Sequence, residues 1–150
     1  MSSLLLDGLD DLGIKYIHKT AHETYKNGLL NDQIHKMLVN NKNIGDKIEE
    51  LTGQQKFQTI LPYFPECHNC GKLYTTESFE YIKDEKKVRY RCKDSEIGSE
   101  WDKDRDKKGK YLGCGHEGES IIGKDLGKLA WKIEFAARWK AFDILSLIHI

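Results

Sequence analysis

A chain of 150 residues, 39% hydrophobic and 32% charged, can bury one modest core under a well-solvated surface, which implies one domain or a domain carrying a metal lobe. Its 24 Lys and Arg balance 24 Asp and Glu, so no net field argues for or against a nucleic-acid partner. No apolar run is long enough to cross a bilayer, and Met1–Asp7 lacks the basic and apolar regions of a secretion signal, so a cytoplasmic protein without a membrane partner is expected.

The first 60 residues read as helices. Leu5, Leu9 and Leu12 recur at helical spacing, Gly13 supplies a stop, and Ile14-Lys15-Tyr16-Ile17 follows as a short strand, the local grammar of an α/β unit. Thr20-Ala21-His22-Glu23 fits a capping box that opens a helix with Tyr25 and Leu29 on one face. Asn31-Asp32 can cap a second helix carrying Ile34, Met37 and Leu38, and Ile44, Ile48 and Leu51 form a third stripe before Gly53. Core packing is the expected role of all these stripes. His18, His22 and His35 share no ligand spacing and read as surface or capping residues.

The pattern then changes. Leu61-Pro62-Tyr63-Phe64-Pro65 is extended, because each proline disfavours helix in the residue before it. Leu73 to Ile82 and Val88 to Cys92 are rich in Thr, Tyr, Phe and Val and flank the charged Lys83–Lys87, which predicts a β-hairpin with a solvated turn. Residues 93–112 form a charged stretch read as a solvated insertion anchored by Trp101, and Ser120-Ile121-Ile122 can return as a third strand. From Gly127 to Phe142 a strand passes into a helix near Phe135, with Phe135, Trp139 and Phe142 at helical spacing, although one continuous helix also fits.

All four cysteines lie in the second half. Cys67-His68-Asn69-Cys70-Gly71 is a tight turn, Cys92 ends a strand, and Cys114-Gly115-His116 is a second tight turn. Two thiolates presented by one turn form half of a tetrahedral site, and a second pair completes it. The ligands expected for one structural Zn²⁺ are Cys67, Cys70, Cys92 and Cys114, with His116 as a replacement for either of the last two or as a plain turn residue. Disulfides would need an oxidising compartment, and a thioredoxin-type motif would open a helix rather than precede a hairpin. Four thiolates leave no open position for water, so the role is folding rather than catalysis.

The segments Thr24-Tyr25-Lys26-Asn27-Gly28, Pro62-Tyr63-Phe64-Pro65, Cys67 to Lys72 with Tyr74-Thr75-Thr76, Gly113 to Glu119, and Gly127 to Ala141 together resemble the class I lysyl-tRNA synthetases. The likeness runs from roughly Leu9 to Ile144. It implies an α/β fold: part of a Rossmann-type catalytic domain, interrupted by a zinc-ribbon-like β insertion. On that division residues 1–60 are the helical part of the catalytic domain, 61–123 the insertion, 124–144 the return, and 145–150 a tail outside the family pattern. Some members carry tyrosine where His116 stands, which favours the all-cysteine ligand set.

The resemblance also implies an activity, ATP-dependent attachment of lysine to tRNA(Lys) through a lysyl-adenylate. ATP and Mg²⁺ would serve the full-length enzyme, with tRNA(Lys), lysine and ATP as partners and no DNA. Trp131 is similar to the aromatic wall of the family's lysine pocket, and an aromatic face suits the stem and ammonium of lysine. Plain core packing is the other reading of Trp131. Glu134 could supply the partner carboxylate or a surface salt bridge. The family's two ATP-contacting signatures do not occur in these residues, so an internal fragment, inactive alone, is expected. The alternative from another class is a free-standing zinc-ribbon adaptor that binds nucleic acid or protein.

Overall fold

The computed structural model describes residues 2–94, 111–130, 133–134 and 137–138. Five helices come first: α1 (Ser2–Asp11), α2 (Ala21–Lys26), α3 (Asn31–Val39), α4 (Asn41–Thr52) and α5 (Lys56–Thr59). Five strands follow: β1 (Tyr63–Pro65), β2 (Thr76–Ile82), β3 (Lys87–Cys92), β4 (Glu117–Ile121) and β5 (Gly127–Leu129). They form two antiparallel sheets, β1-β5 and β2-β3-β4, so the chain is a mixed helix-and-sheet fold.

The local signals act as their chemistry dictates. Thr20 caps α2 reciprocally: its hydroxyl accepts the Glu23 N–H at 3.1 Å while its own N–H donates to the Glu23 carboxylate at 3.2 Å. In α3, Ile34 and Leu38 stack one turn apart and are buried. Asn31 and Asp32 do not cap that helix; it begins after Leu30 without a side-chain cap, and Asp32 sits in the first turn, where its charge suits the helix dipole.

Three further expectations are corrected. Residues 14–17 form no strand, because among the described residues no neighbour offers them a ladder, and Ile14 and Ile17 are exposed. The first stripe is not core either: Leu5 and Leu12 are 66% and 75% exposed, and Leu51 of the third is 73% exposed. The passage from strand to helix comes at Ala130 rather than Phe135, since β5 ends at Leu129 and the Glu134 N–H already donates to the Ala130 carbonyl at 2.8 Å. Trp101, Phe135, Trp139, Phe142 and the tail 145–150 lie outside the described residues.

One core joins helices to sheets. Leu30, Ile34 and Leu38 pack with Tyr63 of β1, Val88 of β3, Leu129 of β5 and Ile133 beyond it. Two polar ties cross the same seam. The Tyr25 hydroxyl accepts the Leu129 N–H at 2.8 Å, and His35 on α3 hydrogen-bonds the Tyr81 hydroxyl on β2 at 2.6 Å. These contacts fix the β2-β3-β4 sheet, whose far end carries the cysteines, against the helical part.

Candidate metal centre

Three segments bring four sulfurs together. The first turn closes through the Gly71 N–H on the Cys67 carbonyl at 2.8 Å and the Cys67 N–H on the Lys72 carbonyl at 2.9 Å. Gly71 has a φ of 69°, a left-handed conformation that a side chain resists. Cys92 ends β3 and pairs with the second turn, donating its N–H to the His116 carbonyl at 2.8 Å and accepting from the Gly115 N–H at 2.9 Å. Gly113 allows this approach: a Cβ there would stand 2.5 Å from the Lys93 Cα.

The sulfurs of Cys67, Cys70, Cys92 and Cys114 all lie within 4.8 Å of one another. Cys67 Sγ is 3.6 Å from Cys114 Sγ, and Cys70 Sγ is 3.7 Å from Cys92 Sγ. These separations are too long for disulfides and match the edges of a tetrahedron with metal–sulfur bonds of ~2.3 Å. His116 is not in this group; its ring lies 6.1 Å from that of Tyr90.

The surroundings divide the four sulfurs. The Cys92 sulfur accepts from the Cys114 N–H at 3.4 Å and lies 3.1 Å from the Thr75 hydroxyl. A hydrogen bond from the Asn69 side chain lowers the Cys114 thiol to about 6, while burial pushes the Cys70 thiol up to about 12. Burial also raises the Cys92 thiol, so a divalent cation, which favours the thiolate at every position, would complete the cluster. The donor set and its spacing therefore fit a closed four-sulfur site. Tyr90, Thr75 and Asn69 are the residues that cysteine spacing alone misses. Tyr90 is fully buried, accepts the His68 N–H at 2.9 Å and packs its ring against those of His68 and His116. Its one signal is its place two residues before Cys92, on the same face of β3.

Trp131, the residue expected at a lysine pocket, lies outside the described residues. Glu134 is described and half-buried. Its carboxylate accepts from Arg138 Nε and Nη2, each at 2.7 Å. Burial, together with this carboxylate, holds the nearby Tyr25 phenol well above its ordinary pKa. Glu134 is thus tied into a Tyr25–Glu134–Arg138 cluster beyond β5.

Fold and site define a mixed helix-and-sheet unit that carries a four-cysteine centre at one end of an antiparallel sheet. The tRNA synthetases class I (K) family matches residues 1–146, and the chain belongs to that family. Among its relatives, a lysine–tRNA ligase of Cenarchaeum symbiosum is 56% identical over 144 residues, covering 96% of this chain and 26% of the relative. A lysine–tRNA ligase of Methanocaldococcus jannaschii is 30% identical over 139 residues, 93% of this chain and 22% of the relative. The chain thus spans about a quarter of the length of the curated relatives it matches. No described helix is long and apolar enough to cross a membrane.

Proposed function

We propose that these residues are the metal-binding quarter of a class I lysine–tRNA ligase, which uses ATP to form a lysyl-adenylate and transfers the lysine to tRNA(Lys). The observation that carries this reading is the 56% identity to a lysine–tRNA ligase across nearly the whole chain. A free-standing adaptor would need only the cysteine lobe, whereas the family match runs through the helices as well. On this reading residues 1–60 and 124–144 belong to a Rossmann-type catalytic domain, and 61–123 form a zinc-ribbon-like insertion. Cys67, Cys70, Cys92 and Cys114 would hold Zn²⁺, which supplies cross-linking between β3 and the two turns rather than chemistry.

The chain's own residues then have distinct tasks. Trp131 and Glu134 contribute to lysine recognition, the indole against the aliphatic stem and the carboxylate toward the ammonium. Arg138 positions that carboxylate. ATP and Mg²⁺ are bound by other parts of the enzyme, because no phosphate-binding glycine loop occurs in this sequence. Lysine-dependent exchange of pyrophosphate into ATP by the 150-residue chain is therefore expected at background, and robust exchange would refute the division of labour. In an enzyme of the relatives' length, Trp131→Ala should raise the KM for lysine with thermal stability close to wild type. A variant that loses about 3–5 kcal/mol of stability with lysine affinity intact would make Trp131 core instead.

A further inference from the structure

The four sulfurs of the metal centre are not equally accessible. Cys67 and Cys92 are buried and Cys70 is half-buried, whereas Cys114 is exposed together with its neighbour Gly115. A small solute can therefore reach one sulfur of the cluster directly. Cys114 Sγ stands 3.6 Å from Cys67 Sγ, and Cys70 Sγ stands 3.7 Å from Cys92 Sγ. The cluster thus falls into two pairs, and the exposed sulfur belongs to the first. A disulfide needs its sulfurs ~2.05 Å apart, so closing that pair from 3.6 Å takes a movement of about 1.5 Å. Gly115 has a φ of 74°, and nothing lies within 4 Å of where its Cβ would stand. An exposed side chain beside so open a bend can make the movement by rotation about its Cα–Cβ bond, without displacing a packed neighbour. Cys67 is the fixed partner, held in the interior by the backbone hydrogen bonds that close the first turn.

We propose that Cys114 is an oxidation site through which hydrogen peroxide opens the metal centre, and that the product is a reversible Cys67–Cys114 disulfide. The Cys114 sulfur attacks one peroxide oxygen, the O–O bond breaks, and a sulfenic acid and a hydroxide form. The Cys67 sulfur then displaces the sulfenic hydroxyl as a second hydroxide, and the S–S bond closes. Two electrons pass from the sulfurs to the peroxide, and two protons from solvent turn both hydroxides into water. Cys70 and Cys92 alone cannot hold a tetrahedral ion, so Zn²⁺ leaves. The disulfide keeps the two turns joined but no longer ties them through sulfur to Cys92 at the end of β3. It therefore loosens the cysteine end of the sheet while holding half of the ligand set together, ready for zinc once a thiol reduces it. The inference rests on the zinc reading of the four cysteines.

The test treats the zinc-loaded 150-residue chain with hydrogen peroxide beside a colorimetric zinc chelator, then alkylates the free thiols and maps them by mass spectrometry. One Zn²⁺ should be released per disulfide, with Cys67 joined to Cys114 and with Cys70 and Cys92 alkylated. A dithiol should then restore zinc binding, and the helical circular dichroism should stay unchanged throughout. Cys114→His offers the ion a nitrogen in place of the exposed sulfur. Peroxide should release zinc from it at least about fivefold more slowly than from Cys70→His, once loss to the chelator alone is subtracted. Equal release from the two variants would overturn Cys114 as the point of entry. A Cys70–Cys92 disulfide, or Cys114 carried to sulfinic acid with Cys67 still alkylated, would overturn the pair. Where a histidine variant binds no zinc, the map of the wild-type chain decides alone. A chain that takes up no zinc before peroxide is added would sink the zinc reading and this inference with it. A loaded chain that keeps its zinc under peroxide would sink this inference only.

Discussion

Removing the metal is expected to unfold the cysteine end of the β2-β3-β4 sheet. The wild-type chain should contain one Zn²⁺, and Cys70→Ser, Cys92→Ser and Cys114→Ser should each lose most of it, because each removes one vertex of a four-sulfur tetrahedron. Apparent zinc-binding energies in small metal domains are about 10–16 kcal/mol, and much of that is folding energy. The Leu30–Val88–Leu129 core does not include the cysteines, so it should persist on metal loss and the loss of structure should be partial. A drop in melting temperature of more than about 10 °C is expected for Cys92→Ser, whose residue is buried and hydrogen-bonded through its backbone to the second turn. Zinc affinity should also fall steadily below neutral pH, since protons compete for the four sulfurs. Full zinc occupancy in any two of the variants would refute the site.

Leu30→Ala should cost about 2–5 kcal/mol, since the side chain is fully buried and its removal leaves a cavity at the junction of α3 with the strands. The more informative result is the form of the transition. The core that Leu30 shares with Tyr63, Val88 and Leu129 links the helices to both sheets, so helix melting and zinc release should move to lower denaturant together. Two separated transitions, with zinc release unshifted, would make the cysteine lobe an independent unit.

The clustering of the four cysteines was legible because metal ligation, the chemistry they suit, needs a fixed spacing. Cys67 and Cys70 must share one turn, and Cys92 and Cys114 must be carried to it by strands that the Thr- and Tyr-rich runs announce. The capping box at Thr20 was legible for the same reason: both halves of its hydrogen-bonded exchange lie within four residues. What failed depended on partners distant in sequence. Ile14–Ile17 has strand composition, yet composition does not supply a neighbouring strand. The Leu5–Leu12 stripe has helical period, and α1 forms, but period cannot say what covers its apolar face. Leu129, Trp131, Ile133 and Phe135 alternate in sequence as a strand would, which hid the helix start at Ala130. The pairing of β1 with β5 spans more than sixty residues, a register no local pattern encodes.

The central claim is most directly tested with an enzyme that embeds these residues in a chain of the relatives' length. Pyrophosphate exchange and tRNA charging would be measured across a panel of all the standard amino acids. The account predicts that lysine alone supports both, and that Cys92→Ser in the same enzyme lowers both along with zinc content. Charging of a different amino acid, or a zinc-loaded, folded enzyme with no lysine-dependent exchange, would contradict it.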